Sequence, residues 1–292
     1  MKKKLASICI PSFNGEKFIR QTICAVLRST YENIEIIICD DNSTDETRKA
    51  VGGIHDKRIK LYSDSRHVGV PTNWNRTIEK ASGEYVCLLN HDDEISPFWI
   101  HYAVSILEKY PQVGWVISAF RIINEQSEVQ HVILRFPENR IYFPEESFPI
   151  VAKQDGLGPG FVVRKKVLNE IGLYDEATGP AADNEMFMHL AAKHPLFFSI
   201  TPHTAWRFHP GNLTRRWDRE QQTRDGLMIL KKVFFQFELP NGLKKCMKPS
   251  YRYFFEKTHQ VIRKFLDQGN TEMAYKLSQI IDSEKKYLKI RD

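Results

Sequence analysis

Asn90-His91-Asp92-Asp93-Glu94 follows directly on the apolar run at residues 85–89. Adjacent carboxylates repel each other unless a cation, a proton or hydrogen-bond donors compensate them. Such a pair suits the chemistry of holding a divalent cation against an anionic ligand. The plain alternative is a solvated acidic turn ahead of a helix at Pro97. The preceding run is short and nearly all apolar, as in a strand covered on both faces, so the acids fall at its carboxyl end. Ligands bind at that edge in open α/β sheets. A second pair, Asp40-Asp41, ends the apolar run 34–39 in the same way.

The elements that must position these acids alternate. A strand over 5–11 breaks at Asn14-Gly15 into a helix reaching about residue 29, and the strand 34–39 leads to a helix capped by Ser43 or Thr44. A third strand at 59–62, a helix over 71–81 and the strand from Glu84 continue the pattern, which predicts a parallel sheet with right-handed crossovers and both acid pairs on one edge. A helix over 94–110 and a strand over 113–123 follow. Residues 125–149 mix a hairpin with several prolines and read as a long connection or lid more than a core element. Gly156 to Gly160 turn the chain into a short strand at 161–163 and a helix over 165–171, and a helical stripe over 183–193 has Asp183 at its N-terminus. Beyond Arg219 the pattern is helical over 227–237, 251–266 and 271–287.

Hydrophobic residues make up 42% of the 292 and charged residues 27%, an ordinary soluble composition with no apolar run of membrane-spanning length. The N-terminus lacks the apolar core and cleavage site of a signal peptide. The five cysteines are odd in number, with no C-x-x-C, and read as reduced structural thiols of a cytoplasmic protein. Net charge is +6, and from Gly211 onward 18 Lys and Arg stand against 10 Asp and Glu. The basic excess of the tail points to an anionic surface or ligand, not to a nucleic-acid-binding core.

Taken together the motifs resemble glycosyltransferase family 2, inverting nucleotide-sugar transferases of the GT-A fold, over about residues 7–214. Ile8-Cys9-Ile10-Pro11-Ser12-Phe13-Asn14 is similar to the family's opening strand and loop. Glu35 to Asp45 resembles its Glu-strand-Asp-Asp-x-Ser-x-Asp motif, and Asn75 to Tyr85 its Asn-x-x-Ile-x-x-Ala-x-Gly-Glu-Tyr motif. The family's metal-binding Asp-x-Asp falls on Asn90-His91-Asp92, with Asn in the first place. Further on, 160–164, 171–175 and 183–186 resemble the acceptor-side segment, and Trp206 to Thr214 the closing motif.

The resemblance implies an α/β GT-A fold, Rossmann-like, with a mainly parallel central sheet flanked by helices. Residues 1–214 form the transferase domain, its nucleotide-binding half about 1–123 and its acceptor half about 124–214, and 215–292 form a basic helical extension. It implies transfer of a sugar, with inversion, from a UDP-linked donor to an acceptor hydroxyl in cell-surface polysaccharide or glycoconjugate synthesis. Pro11, Phe13, Asn14, Asp41, Asn75, Asn90 and Asp92 bind the nucleotide. Asp92, Asp93 and His209 bind Mn²⁺ or Mg²⁺, and Asp183 is the general base with Glu185 in reserve. The acceptor is a saccharide or lipid-linked saccharide, and the basic helices either cap the domain or touch the inner face of a membrane. Two other readings compete. A nucleotide-sugar-binding module with a decayed metal site would explain Asn90. A dinucleotide-dependent oxidoreductase would share the β-α alternation, but Pro11-Ser12-Phe13-Asn14-Gly15 stands where its G-x-G-x-x-G belongs.

Overall fold

The computed structural model describes residues 3–153 and 156–288, so the outermost residues of the regions 1–214 and 215–292, and part of the Gly-rich approach at 154–155, lie outside the described residues. Ten strands form one sheet: β1 (Ala6–Ser12), β2 (Ile34–Asp40), β3 (Ile59–Ser63), β4 (Tyr85–Leu88), β5 (Glu94–Ile95), β6 (Trp115–Ile123), β7 (Val129–Ile133), β8 (Arg140–Tyr142), β9 (Val162–Arg164) and β10 (Leu196–Arg207). Their spatial order is β3-β2-β1-β4-β9-β6-β10-β5, with β7 paired to β6 and β8 to β10. Strands β1 to β4 pair in parallel, β9 runs antiparallel between β4 and β6, and β6 and β10 are again parallel. The sheet is mixed, with its longest ladders parallel, and helices flank it.

Burial on both faces explains the apolar runs. Along β1 and β2 every residue is buried. Ile8, Ile10, Ile36 and Ile38 pack with Ile23 and Val26 of the helix Ile19–Leu27 and Ile100 of the helix Trp99–Lys109. Cys9, Ile37 and Cys39 join the opposite core with Ile78 of the helix Val70–Glu79. Alternation along a strand thus feeds two cores. All five cysteines are free thiols.

Three expectations change and one strand is added. Glu94–Ile95 is a strand paired antiparallel with Thr204 and Ala205, and the helix starts only at Trp99. Ser96 precedes Pro97, whose ring disfavours helical backbone at the residue before it. Residues 125–149 are not merely a lid: they supply β7, β8 and most of the helix Pro144–Val151, and Phe136, Tyr142 and Phe148 are fully buried in the main core. The helix after β2 begins at Thr47, whose N–H donates to Asp45 Oδ1, because the Ser43 hydroxyl instead accepts from Asn14 N–H. Finally, β10 is a 12-residue strand that the polar stretch Ser199 to His203 conceals, and its register slips there.

The C-terminal helices Arg219–Lys231, Met247–Asp267 and Thr271–Leu288 share the main core. Leu230, Phe234, Tyr251, Leu277 and Ile281 cluster with Trp115, Phe148 and Phe187. Among the described residues no helix is long and apolar enough to cross a membrane.

Candidate active site

At the carboxyl edge of β1 and β2 the loops interlock. Asn14 adopts φ 49°, its N–H donates to Ser43 Oγ, and its Oδ1 accepts from Thr44 N–H at 2.9 Å. Asp41 is buried and accepts from the N–H groups of Val68 (2.8 Å) and Gly69 (2.9 Å), while His67 Nδ1 lies 2.8 Å from its Oδ2. The His67 ring stacks on Phe13 with centroids 4.1 Å apart, and both rings are open to solvent. Asp41 therefore sits behind an exposed aromatic pair, a surface on which a planar base can stack. Pro11 is buried at the end of β1. Asn73, which the sequence did not single out, donates to the carbonyls of Ser12 and Cys39 and so caps both strand ends from the helix above. Asn75 does different work: its amide exchanges two hydrogen bonds with the Tyr174 backbone, 99 residues away. It ties the helix Val70–Glu79 to the segment after the helix Lys165–Ile171.

The turn after β4 carries the acids. Asp92 Oδ2 lies 3.0 Å from His209 Nε2 and accepts from Asn212 Nδ2 at 3.2 Å. Gly211 N–H donates to His209 Nδ1, which assigns the ring proton to Nε2 and makes Nε2 the donor toward Asp92. Asp93 is placed behind this pair. Its Oδ1 accepts from Arg207 N–H at 3.0 Å and its Oδ2 faces Asn90 Nδ2 at 3.4 Å, with only 1% of the residue exposed. Burial pushes the Asp92 carboxyl up, but the hydrogen bond from His209 and the charges of His91 and His209 outweigh it and hold it below the usual carboxylate range. Burial, reinforced by the charge of Asp92, pushes Asp93 well above that range. The environment pulls two neighbouring carboxyls in opposite directions, Asp92 toward the ionised form and Asp93 toward the protonated one.

A carboxylate oxygen and an imidazole nitrogen converging at 3.0 Å form a donor set that suits Mn²⁺ or Mg²⁺, which would take their remaining ligands from a diphosphate and water. The proton between Asp92 and His209 is the one such a cation would displace. Among the described residues no three His, Cys, Asp or Glu side chains converge into a closed cage.

The Gly-rich turn links the end of β4 to the helix that carries Asp183. Gly160 N–H donates to the Leu88 carbonyl at the end of β4. At Gly158, φ is +91° and an added Cβ would come within 2.4 Å of the Phe120 ring, so only glycine fits. Gly156 N–H bonds Asn184 Oδ1, and an added Cβ there would lie 4.0 Å from Asp183 Oδ2. Asp183, second residue of the helix Ala182–Lys193, accepts from Asn184 N–H. The helix dipole favours an ionised carboxylate there, yet burial dominates and pushes the carboxyl up to about 6, only partly offset by the N–H groups of its own turn. Glu185 is committed elsewhere, with Oε1 2.5 Å from Lys232 Nζ, which also pairs with Asp175.

The sheet thus carries paired acids at its carboxyl edge and a further acid across a glycine turn. Residues 7–172 fit the model described as "Glycosyl transferase family 2", and the chain belongs to that family. An uncharacterized glycosyltransferase of Rickettsia prowazekii is 27% identical over 290 residues, covering 96% of this chain and 86% of that protein. The Escherichia coli enzyme WfgD, a UDP-Glc:alpha-D-GlcNAc-diphosphoundecaprenol beta-1,3-glucosyltransferase, is 34% identical over 129 residues, covering 44% of this chain and 51% of the relative. An uncharacterized glycosyltransferase of Rickettsia felis is far longer, and the match spans 34% of its length. Among solved structures, S. aureus TarS 1–349 in complex with UDP-GlcNAc superposes with TM-score 0.71 at 18% identity, covering 87% of this chain and 73% of TarS. Mannosyltransferase PcManGT from Pyrobaculum calidifontis, in complex with GDP-Man and Mn2+, superposes with TM-score 0.61 at 16% identity over 99% of this chain and 88% of its own.

Proposed function

We propose that this chain transfers a sugar, with inversion, from a UDP-linked donor to an acceptor hydroxyl. The observation that carries the reading is the 3.0 Å approach of His209 to Asp92 across 117 residues of sequence, on the sheet edge that also holds Asp41. Phe13 and His67 stack on the base over Pro11, Asp41 holds His67 and the turn at Val68 and Gly69 in place behind them, and Asn14 shapes the loop beneath. Asn75 acts through the joint to Tyr174, and Asn90 holds Asp93, whose burial favours the protonated form. Asp92 and His209 bind the diphosphate end. A divalent cation held by these two would neutralise charge developing on the departing diphosphate.

Asp183 supplies the other half of the reaction. Its carboxylate takes the proton of the acceptor hydroxyl as that oxygen attacks the anomeric carbon from the face opposite the diphosphate. A new C–O bond forms, the bond to the nucleoside diphosphate breaks, and the diphosphate leaves with the bonding pair. Placing donor acids and acceptor base on separate elements is what permits attack from the opposite face. A membrane-borne, lipid-linked saccharide is the acceptor class that WfgD's substrate suggests. It also gives a use to the helix Met247–Asp267, whose outward side exposes Lys248, Arg252, Lys257, Arg263 and Lys264.

Melting the protein against UDP- and GDP-sugars with and without Mn²⁺, then measuring UDP release, tests the reading. A UDP-sugar should raise Tm more than a GDP-sugar, most strongly with Mn²⁺, and should be turned over when acceptor is added. A GDP-sugar preference would replace the donor assignment, and tight binding without any release would make the chain a nucleotide-sugar-binding module. Salt-sensitive co-sedimentation with anionic vesicles is expected if the basic helix faces a membrane, and none if it is only a cap.

A further inference from the structure

Arg207, the last residue of β10, is completely buried, and each of its five N–H donors has a partner. Nε donates to the Asp92 carbonyl at 2.9 Å. Nη1 donates to the carbonyls of Asn124 (2.9 Å) and Glu125 (3.2 Å), and Nη2 to Glu94 Oε1 and to Ser127 Oγ (3.2 Å). Its backbone N–H holds Asp93. The guanidinium also lies 4.8 Å from the centre of the Phe18 ring, and the centre of the His209 ring lies 4.8 Å from that of Phe18, so Phe18 connects Arg207 to His209. One side chain thus reaches the backbone of Asp92 directly and the imidazole of His209 through a buried ring. Stability alone does not call for this. Apolar packing often replaces a buried ion pair with no loss, whereas a planar fork with five fixed donors sets geometry.

We infer that Arg207 is a positioning residue that locks Asp92 and His209 into the one arrangement able to receive a diphosphate. The inference deepens the donor-site reading above, and its test is kept apart from it because the first readout needs no ligand. In the native protein Nδ1 accepts from Gly211 and Nε2 donates to Asp92, so ¹⁵N spectra of the His209 ring should show a single Nε2–H tautomer at neutral pH. Lysine at 207 keeps the charge but cannot bridge all five acceptors. In a folded Arg207→Lys protein the His209 nitrogens should move toward the average of the two tautomers. Mn²⁺-dependent UDP affinity should fall about tenfold or more, the usual scale for partners that orient a ligating group, while metal-free UDP affinity changes little. Unchanged His209 shifts in the folded variant would overturn the inference and leave Arg207 as a fold residue. Should Arg207→Lys fail to fold, Glu94→Gln decides. It keeps the shape and removes the countercharge, so a smaller shift of the same nitrogens in the same direction is expected, and no shift would overturn the inference.

Discussion

Asp92 and Asp183 occupy opposite sides of the proposed site and opposite kinds of environment. Asp92 lies in the turn after the buried strand β4 and is gripped by His209 and Asn212 from a turn 117 and 120 residues on. Those donors outweigh its burial and keep it ionised. Asp183 stands in the first turn of a helix, accepts among the described residues from main-chain groups of its own turn, and is pushed up to about 6 by burial. A carboxylate that holds a cation or diphosphate works best fixed and ionised, whereas one that must take a proton works best poised near neutral pH. The same residue type acquires two uses from what surrounds it. The grip on Asp92 comes from rigid sheet and turn, while Asp183 rests on a glycine turn and on a helix steadied from the C-terminal region by Lys232.

The contrast can be broken most severely on the gripped side. Asp92→Ala should lower transfer about 10³-fold or more, because it removes electrostatic stabilisation of the leaving group. It should also erase any Mn²⁺ enhancement of nucleotide affinity, measured by calorimetric titration. A pH–rate profile sharpens the other side. With its carboxyl raised to about 6, Asp183 is protonated below that pH, so kcat/KM should fall about tenfold per unit as pH drops below 6 and level off above about 7. A plateau reaching down to pH 4 would mean that an ordinary carboxylate sets the limb. Stability should move the opposite way. A folded-state pKa above the unfolded one stabilises fully below the unfolded value and loses that contribution as pH rises through about 6. Asp183→Asn should therefore melt no lower than the native protein at pH 7.5. The smallest expected effect on rate belongs to Lys232→Met. Cutting its links to Glu185 and Asp175 should cost about 1–3 kcal/mol in chemical denaturation and less than tenfold in rate, because Asp183 itself is untouched.

What the sequence revealed follows the same division. The strands ending on Asp41 and Asn90 were legible because a fully buried parallel strand is a continuous apolar run, and the polarity switch marks its carboxyl end. The hidden pieces are those whose pattern is set by distant partners. β10 is interrupted by Ser199 to His203 where its register with β6 slips, so no period of two shows. Glu94 and Ile95 look like the start of a helix until β10 is there to pair with them. Phe136, Tyr142 and Phe148 sit among prolines and charges, and only the folded chain shows that these rings enter the core. Nothing local to Arg207 marks it as buried, since burying a guanidinium needs five acceptors contributed by residues 92 to 127. The Asp92–His209 approach could be expected only from the resemblance, for nothing local to either residue encodes a contact over that separation.

The central claim is that donor binding and proton removal reside on separate carboxylates. It is tested most directly by Asp183→Asn, with transfer rate and donor affinity measured on the same protein. Asn fills nearly the same space but cannot take a proton, so transfer should fall about 10²- to 10⁴-fold while the dissociation constant for the nucleotide sugar stays within about twofold. Near-normal transfer by that variant would contradict the claim and leave Asp183 as no more than the first-turn acid of its helix.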